Sequence, residues 1–158
     1  MKLYFIRHGK AGYDAPTDDA RPLTDVGIQQ AKNNGKLLKS MGVTPAKIYV
    51  SPRLRAQQTA QHIGEAVDCI PETKEACNFD FSLEKALDLV SKHQAGDAII
   101  FVGHNPSMSQ VVTDLTGAFV EMKPCAIACI AIVNYGNTPQ AMLQWFIKPK
   151  LVSAIIES

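Results

Sequence analysis

No run of apolar residues in this chain is long enough to cross a bilayer, which takes about 20 in a row. Charge of one sign is not in excess either. Sixteen Lys and Arg stand against fifteen Asp and Glu, a formal net charge of +1. Binders of nucleic acid or anionic membranes usually carry a basic surplus, so neither partner is expected and any basic site must be local. Cysteine is scarce: Cys69, Cys77, Cys125 and Cys129 show no zinc-ligand spacing. No carboxylate cluster suggests another metal, so no cofactor is expected. Cys125 and Cys129 lie four apart in an apparent strand and are expected to share a face. All four are read as free thiols of a reducing compartment. Repeats, linkers and low-complexity tracts are lacking, and the N-terminus has no signal-peptide h-region or cleavage site. These absences leave the expectation of one domain, residues 1–158, in the cytoplasm.

What is present is an alternation of strands and helices. Residues 3–7 form a short apolar strand, followed by a polar loop over 9–23. Thr24 suits an N-cap with Asp25 in the first turn, and Ile28, Ala31, Gly35 and Leu38 follow at helical spacing to about Met41, where Gly42 is a stop. Lys47–Val50 is a second strand, and Ser51-Pro52 is expected to open a helix with Pro in its first turn. A weaker strand is expected over 69–73 and a helix over 82–94, with Ser82 as cap and Leu83, Ala86, Leu87 and Val90 inward. Ala98–Val102 is a strongly apolar strand, with a helix after it to about Thr116. Ala126–Val133 and Met142–Ile147 are two further strands around a turn containing Gly136, Asn137 and Pro139. Residues 149–158 either pack back or fray. The pattern implies an α/β fold: three layers, α/β/α, around a mostly parallel sheet. Segment 74–97 has room for one helix and no large cap insertion.

Three segments carry chemistry, and each follows a strand. Carboxyl ends of parallel strands share one edge, where open α/β sheets bind ligands. The first segment is Arg7-His8-Gly9. Arg offers a two-pronged donor for phosphate, and His a nitrogen nucleophile near neutral pH. Gly9 permits a close backbone approach and brings a carbonyl within reach of the imidazole. The second is Ser51-Pro52-Arg53-Leu54-Arg55-Ala56-Gln57-Gln58-Thr59. Its two arginines oppose a helix dipole unless an anion binds there. The third is Gly103-His104-Asn105, with a second imidazole to stabilise transition-state charge and a helix N-terminus behind it. As a donor, His104 would gain from being protonated. His62 and His93 lie among polar residues on expected helices and are taken as surface histidines.

Together these segments resemble the histidine phosphatase superfamily, the phosphoglycerate mutase-like group, and within it the short, SixA-like branch of protein phosphohistidine phosphatases. Arg21-Pro22-Leu23-Thr24 also fits that branch. The resemblance implies that His8 is the phosphorylated nucleophile and that Arg7, Arg55 and His104 bind the phosphoryl group. It selects Arg55, the arginine before Ala-x-x-Thr, and leaves Arg53 peripheral. Two residues on a helix are about 200° apart around its axis, so Arg53 and Arg55 are not expected to enter one pocket. Arg21, Gly9 and Asn105 are further expected substrate contacts. Candidate proton donors are Glu75 and Asp18, with Asp19 beside it. The substrate implied is a phosphorylated protein bearing phosphohistidine, a phosphotransfer domain or phosphocarrier. The alternatives are a phosphorylated small molecule hydrolysed by a phosphomonoesterase of the same superfamily, or a non-catalytic phosphate-binding module.

Overall fold

Alternate residues of the first strand enter different cores. The computed structural model describes the backbone of residues 1–135 and 138–158. In β1, Lys2–Arg7, Leu3 and Phe5 point to one face of the sheet while Tyr4 and Ile6 point to the other. This is the period-2 geometry of a strand, buried here on both faces. The sheet has six strands among the described residues, in the order β3-β2-β4-β1-β5-β6. The remaining strands are β2, Lys47–Val50; β3, Glu72–Thr73; β4, Ala98–Gly103; β5, Ile127–Tyr135; and β6, Thr138–Ile147. Strands β3, β2, β4 and β1 run parallel, and β5 and β6 add antiparallel pairs at one side.

Helices cover both faces, which makes the three layers. Helix α1, Asp25–Ser40, and α2, Leu54–Val67, pack with Val152 of α5, Pro149–Ile156, over Tyr4, Ile6, Ile48 and Ile100. On the other face, α3, Leu83–Val90, and α4, Ser107–Thr116, cover Leu3, Phe5, Ile99 and Phe101. No large insertion interrupts the segment between β3 and β4.

Local signals behave as expected at several boundaries. Thr24 Oγ1 accepts from Gly27 N at 3.1 Å and Ser82 Oγ from Lys85 N at 3.2 Å, so both residues cap their helices. Gly42 stops α1 with φ +74°. Other expectations need correction. Pro52 lies outside α2, because Arg53 is its N-cap with extended backbone. The expected strand 69–73 shrinks to Glu72–Thr73, and the helix expected over 82–94 ends at Val90. In α3 the buried positions are Ala86, Leu89 and Val90, and Leu87 faces solvent. Cys125 precedes β5 with φ +65°, so it does not share a strand face with Cys129, although all four cysteines are free. Gly136 and Asn137 of the expected turn lie outside the described residues; Pro139 stands within edge strand β6, where a missing N–H is tolerated. The C-terminal segment packs back: α5 lies on α1, and Asn33 Nδ2 donates to Glu157 Oε1 at 3.1 Å. His93 is no surface histidine on a helix. It follows α3, is largely buried, and sits 2.7 Å from Tyr49 Oη.

Candidate active site

The carboxyl ends of β1, β2 and β4 form one edge because their registers align. Arg7 pairs with Gly103, and Val50 with Val102. Ladder bonds continue past the strands, from His8 N to Gly103 O at 2.9 Å and from Ser51 N to Val102 O at 3.1 Å. After β1 the chain turns to α1 on one face, and after β4 to α4 on the other. This divergence opens a crevice at the strand ends. His8 and His104 meet there, with ring centroids 5.2 Å apart and planes tilted by 58°.

His8 is held by its neighbour. Its Nδ1 lies 2.7 Å from Gly9 O. A carbonyl only accepts, so the proton of the neutral ring is on Nδ1 and Nε2 carries the lone pair. Gly9 is pinned in turn. Its N–H donates to Thr59 Oγ1 at 3.0 Å, and Thr59 Oγ1 donates to Arg55 O at 2.8 Å. A Cβ at Gly9 would come within 2.9 Å of Gly27 O and 3.2 Å of Cys125 Sγ, so only glycine fits. Both backbone polar groups of Gly9 are thus engaged inside the protein. Gly9 positions His8 and the loop, and its N–H is not free for a substrate.

Burial is the main reason the His8 ring is pushed down, to about 4; the Gly9 carbonyl opposes the shift, and the guanidiniums of Arg55, Arg7 and Arg21 add to it. His104 is pushed down to about 3 by burial first, then by His8, Arg55 and Arg53. The protonated His104 suggested by its donor role is therefore disfavoured, since removing a cation from water beside other cations is costly. A neutral imidazole still donates through one N–H. His104 Nε2 lies 2.7 Å from Ser51 Oγ. Its Nδ1 is buried without a hydrogen-bond partner, as are Arg7 Nε and Arg55 Nε. Buried unpaired donors are costly, and a phosphoryl oxygen would satisfy Arg7 Nε and Arg55 Nε, and His104 Nδ1 in the tautomer where Ser51 Oγ donates to Nε2.

The arginines have distinct anchors. Arg7 Nη1 donates to Met122 O at 2.9 Å. Arg21 Nε donates to Gly12 O at 2.9 Å, and its guanidinium lies 4.1 Å from the centre of the Tyr13 ring. Arg21, Arg53 and Arg55 converge on Asp18. Asp18 Oδ1 receives Arg21 Nη1 at 3.2 Å, and Asp18 Oδ2 receives Arg53 Nη1 at 2.5 Å and Arg55 Nη2 at 3.2 Å. Arg55 Nη1 also donates to Asp18 O at 2.8 Å. Arg53 is therefore not peripheral. The angular argument against it fails because Arg53 is the N-cap, with ψ 140°, and leaves the helical path.

Asp18 is poorly suited to proton donation. Burial acts to raise its carboxyl, but the bonds and charges of Arg21, Arg55 and Arg53 outweigh it and hold the group below the ordinary carboxylate range. Glu75 lines the groove with Asp18, Asp19, Pro52, Arg53 and Asn78, and its Oε1 accepts from Asn78 Nδ2 at 2.9 Å. The side-chain oxygen of Asn105 is engaged at the start of α4, which leaves only its Nδ2 donor for a substrate oxygen. Its Oδ1 accepts from Ser109 N at 3.1 Å and Ser109 Oγ at 2.5 Å, inside the first turn of α4. Among the described residues no group of three or more His, Cys, Asp or Glu is placed to hold a metal ion.

Sequence reasoning passed over Ser51, Thr59 and Phe79 as site residues. Ser51 and Thr59 stood inside the quoted motif but were read only as parts of a helix. Phe79 gave one faint signal, an aromatic between Asn78 and Asp80 in a polar loop.

An edge that gathers two histidines and several arginines at the carboxyl ends of the strands, in this three-layer fold, defines a class. Residues 3–82 match the model of the histidine phosphatase superfamily, branch 1. The chain belongs to that superfamily and is a phosphatase. It is similar to the phosphohistidine phosphatase SixA of Escherichia coli, 27% identical over 165 residues that span 98% of this chain and 100% of that protein. A SixA homolog of Haemophilus influenzae is 31% identical over 128 residues, covering 74% of this chain and 78% of its own. The solved structure of SixA complexed with tungstate superposes with a TM-score of 0.84 at 23% identity, over 96% of this chain and 99% of that one, a likeness of fold.

Proposed function

We propose that this protein hydrolyses phosphohistidine carried on another protein, through a phosphoryl group held transiently on His8. Residues 1–158 act as one phosphatase domain. One observation carries the reading: the Gly9 carbonyl fixes the His8 tautomer so that Nε2 bears a lone pair, in a ring kept neutral among arginines. The similarity to SixA proteins supports the substrate class.

In the first step His8 Nε2 attacks phosphorus, and the substrate P–N bond breaks. The leaving imidazole takes the bonding pair. When that ring is already protonated on its other nitrogen it departs neutral, and no protein acid is needed. Arg7, Arg55 and His104 meet the phosphoryl oxygens, whose charge persists throughout transfer. In the second step water attacks phosphorus, the bond to Nε2 breaks, and orthophosphate leaves with His8 restored. This reading extends to signal transduction in the cytoplasm, with a phosphotransfer domain or phosphocarrier as the substrate protein.

Brief reaction with a radiolabelled phosphohistidine protein, followed by quenching in alkali, should trap acid-labile label on His8. Label on His104 or on a serine would overturn the assignment. His8→Ala should abolish turnover and leave the circular dichroism spectrum unchanged.

A further inference from the structure

The loop between β3 and α3 holds two phenylalanines with opposite fates. Phe81 is buried against Phe5 and Phe101. Phe79, two residues earlier, is 48% exposed and packs against the charged side of the crevice. The Arg53 guanidinium lies 3.8 Å from its ring centre and that of Arg55 5.8 Å. The ring meets His104 edge to face, with centroids 4.8 Å apart and planes at 71°. His104 is in turn 5.2 Å from His8. Only one ring therefore separates Phe79 from the proposed nucleophile.

The loop is also fixed in place. Asn78 Oδ1 accepts from Arg53 Nε at 2.8 Å and from Phe79 N at 2.9 Å, and Asn78 Nδ2 reaches back to Glu75. An aromatic ring held on a braced loop with much of its surface in solvent contributes little to the core. It is suited to a flat group entering from outside. Its neighbours narrow the choice. Phosphoryl oxygens belong with the arginines and His104, and Phe79 borders those same side chains with part of its ring open to solvent, within reach of the part of the substrate beyond phosphorus.

We infer that Phe79 is a specificity-determining residue: its ring packs against the imidazole of the phosphohistidine substrate. This rests on the substrate class proposed above. A protonated phosphoimidazole is both flat and cationic, and the part of the Phe79 ring that Arg53 leaves uncovered attracts it on both counts. An alkyl phosphate such as phosphoserine offers neither property.

Free phosphohistidine and phosphoramidate separate the two contributions, because both carry a P–N bond and only the first carries a ring. The measured quantity is the ratio of their kcat/KM values. Phe79→Ala should lower that ratio about tenfold, the scale of one aromatic contact. Phe79→Leu should lower it similarly, and Phe79→Tyr should restore it. Using the ratio removes any general effect of the substitution on Arg53 or His104. An unchanged ratio in Phe79→Ala, with both compounds turned over by the wild type, overturns this inference and leaves the phosphohistidine reading standing. Turnover of phosphomonoesters with no turnover of either P–N compound by the wild type overturns both.

Discussion

Arg53 and Arg55 reach the same atom. Both donate to Oδ2 of Asp18, at 2.5 Å and 3.2 Å. They differ in surroundings: the Arg55 side chain is 4% exposed and that of Arg53 19%. Arg55 also lies close enough to His8 to depress its proton affinity.

Arg55→Ala should therefore lower kcat by about a hundredfold or more, the usual loss when a donor to a transition-state anion is removed. Arg53→Ala should cost about tenfold or less and act mainly through KM, because Arg53 braces Asp18, Asn78 and Phe79. Steady-state kinetics of the two variants check the order. Equal losses would place Arg53 on the phosphoryl group itself.

Asp18 sets its carboxylate against three guanidiniums and so competes with any incoming anion for them. Asp18→Asn should tighten inhibition by orthophosphate several-fold and keep kcat within about tenfold, since a carboxyl held ionised gives no proton to the leaving group. A drop in kcat of about a hundredfold or more, the scale for loss of a general acid, would make Asp18 the proton donor after all.

The two histidines make both activity and stability depend on pH in a defined direction. His8 falls to about 4 and His104 to about 3, so both stay neutral in the folded protein across the ordinary histidine range. In the unfolded chain both take up protons as pH falls through about 6.5. The unfolded state then binds more protons, so stability rises with pH between about 4 and 6.5 and is lost on acidification through that window. Melting temperatures between pH 7 and 5 should fall, and His8→Asn should flatten the fall. The acid limb of kcat/KM, corrected for substrate ionisation, should lie well below 6.5.

Gly27 lets the loop after His8 lie against the start of α1. A Cβ there would stand 2.1 Å from Lys10 O, the atom that receives Thr24 N at 2.9 Å. Gly27→Ala should cost about 1–3 kcal/mol, as overpacking does, and should lower activity by shifting Gly9 and Lys10. Thermal denaturation and kinetics on the same preparation test this. An unchanged melting temperature would mean that the loop can move away freely.

The local parts of this protein are legible in its sequence because they depend on neighbours along the chain. Thr24 and Ser82 are caps because a hydroxyl three residues before an amide suits that bond. The strands Lys47–Val50 and Ala98–Gly103 follow from apolar runs that only a doubly covered sheet can bury. Arg7-His8, Arg55 and Gly103-His104 could be assigned to one edge because parallel strands point the same way. Segments whose form depends on distant partners were not legible in this way. Leu87 faces solvent and Leu89 the core because the stripe that packs inward is Ala86, Leu89 and Val90, and helical spacing fits that stripe as well as the one through Leu83 and Leu87. Arg53 enters the site because its backbone is extended at the N-cap. Asp18–Arg53, Phe79–His104 and Ser51–His104 join residues 25 to 53 positions apart, across loops with no periodic pattern. By itself, then, the sequence determined the elements, their order and the residue types at the strand ends, all set by short-range backbone preference and burial pattern. Only the tertiary structure decided which side chain holds which, because long-range packing selects among rotamers and loop paths that local chemistry leaves equally open.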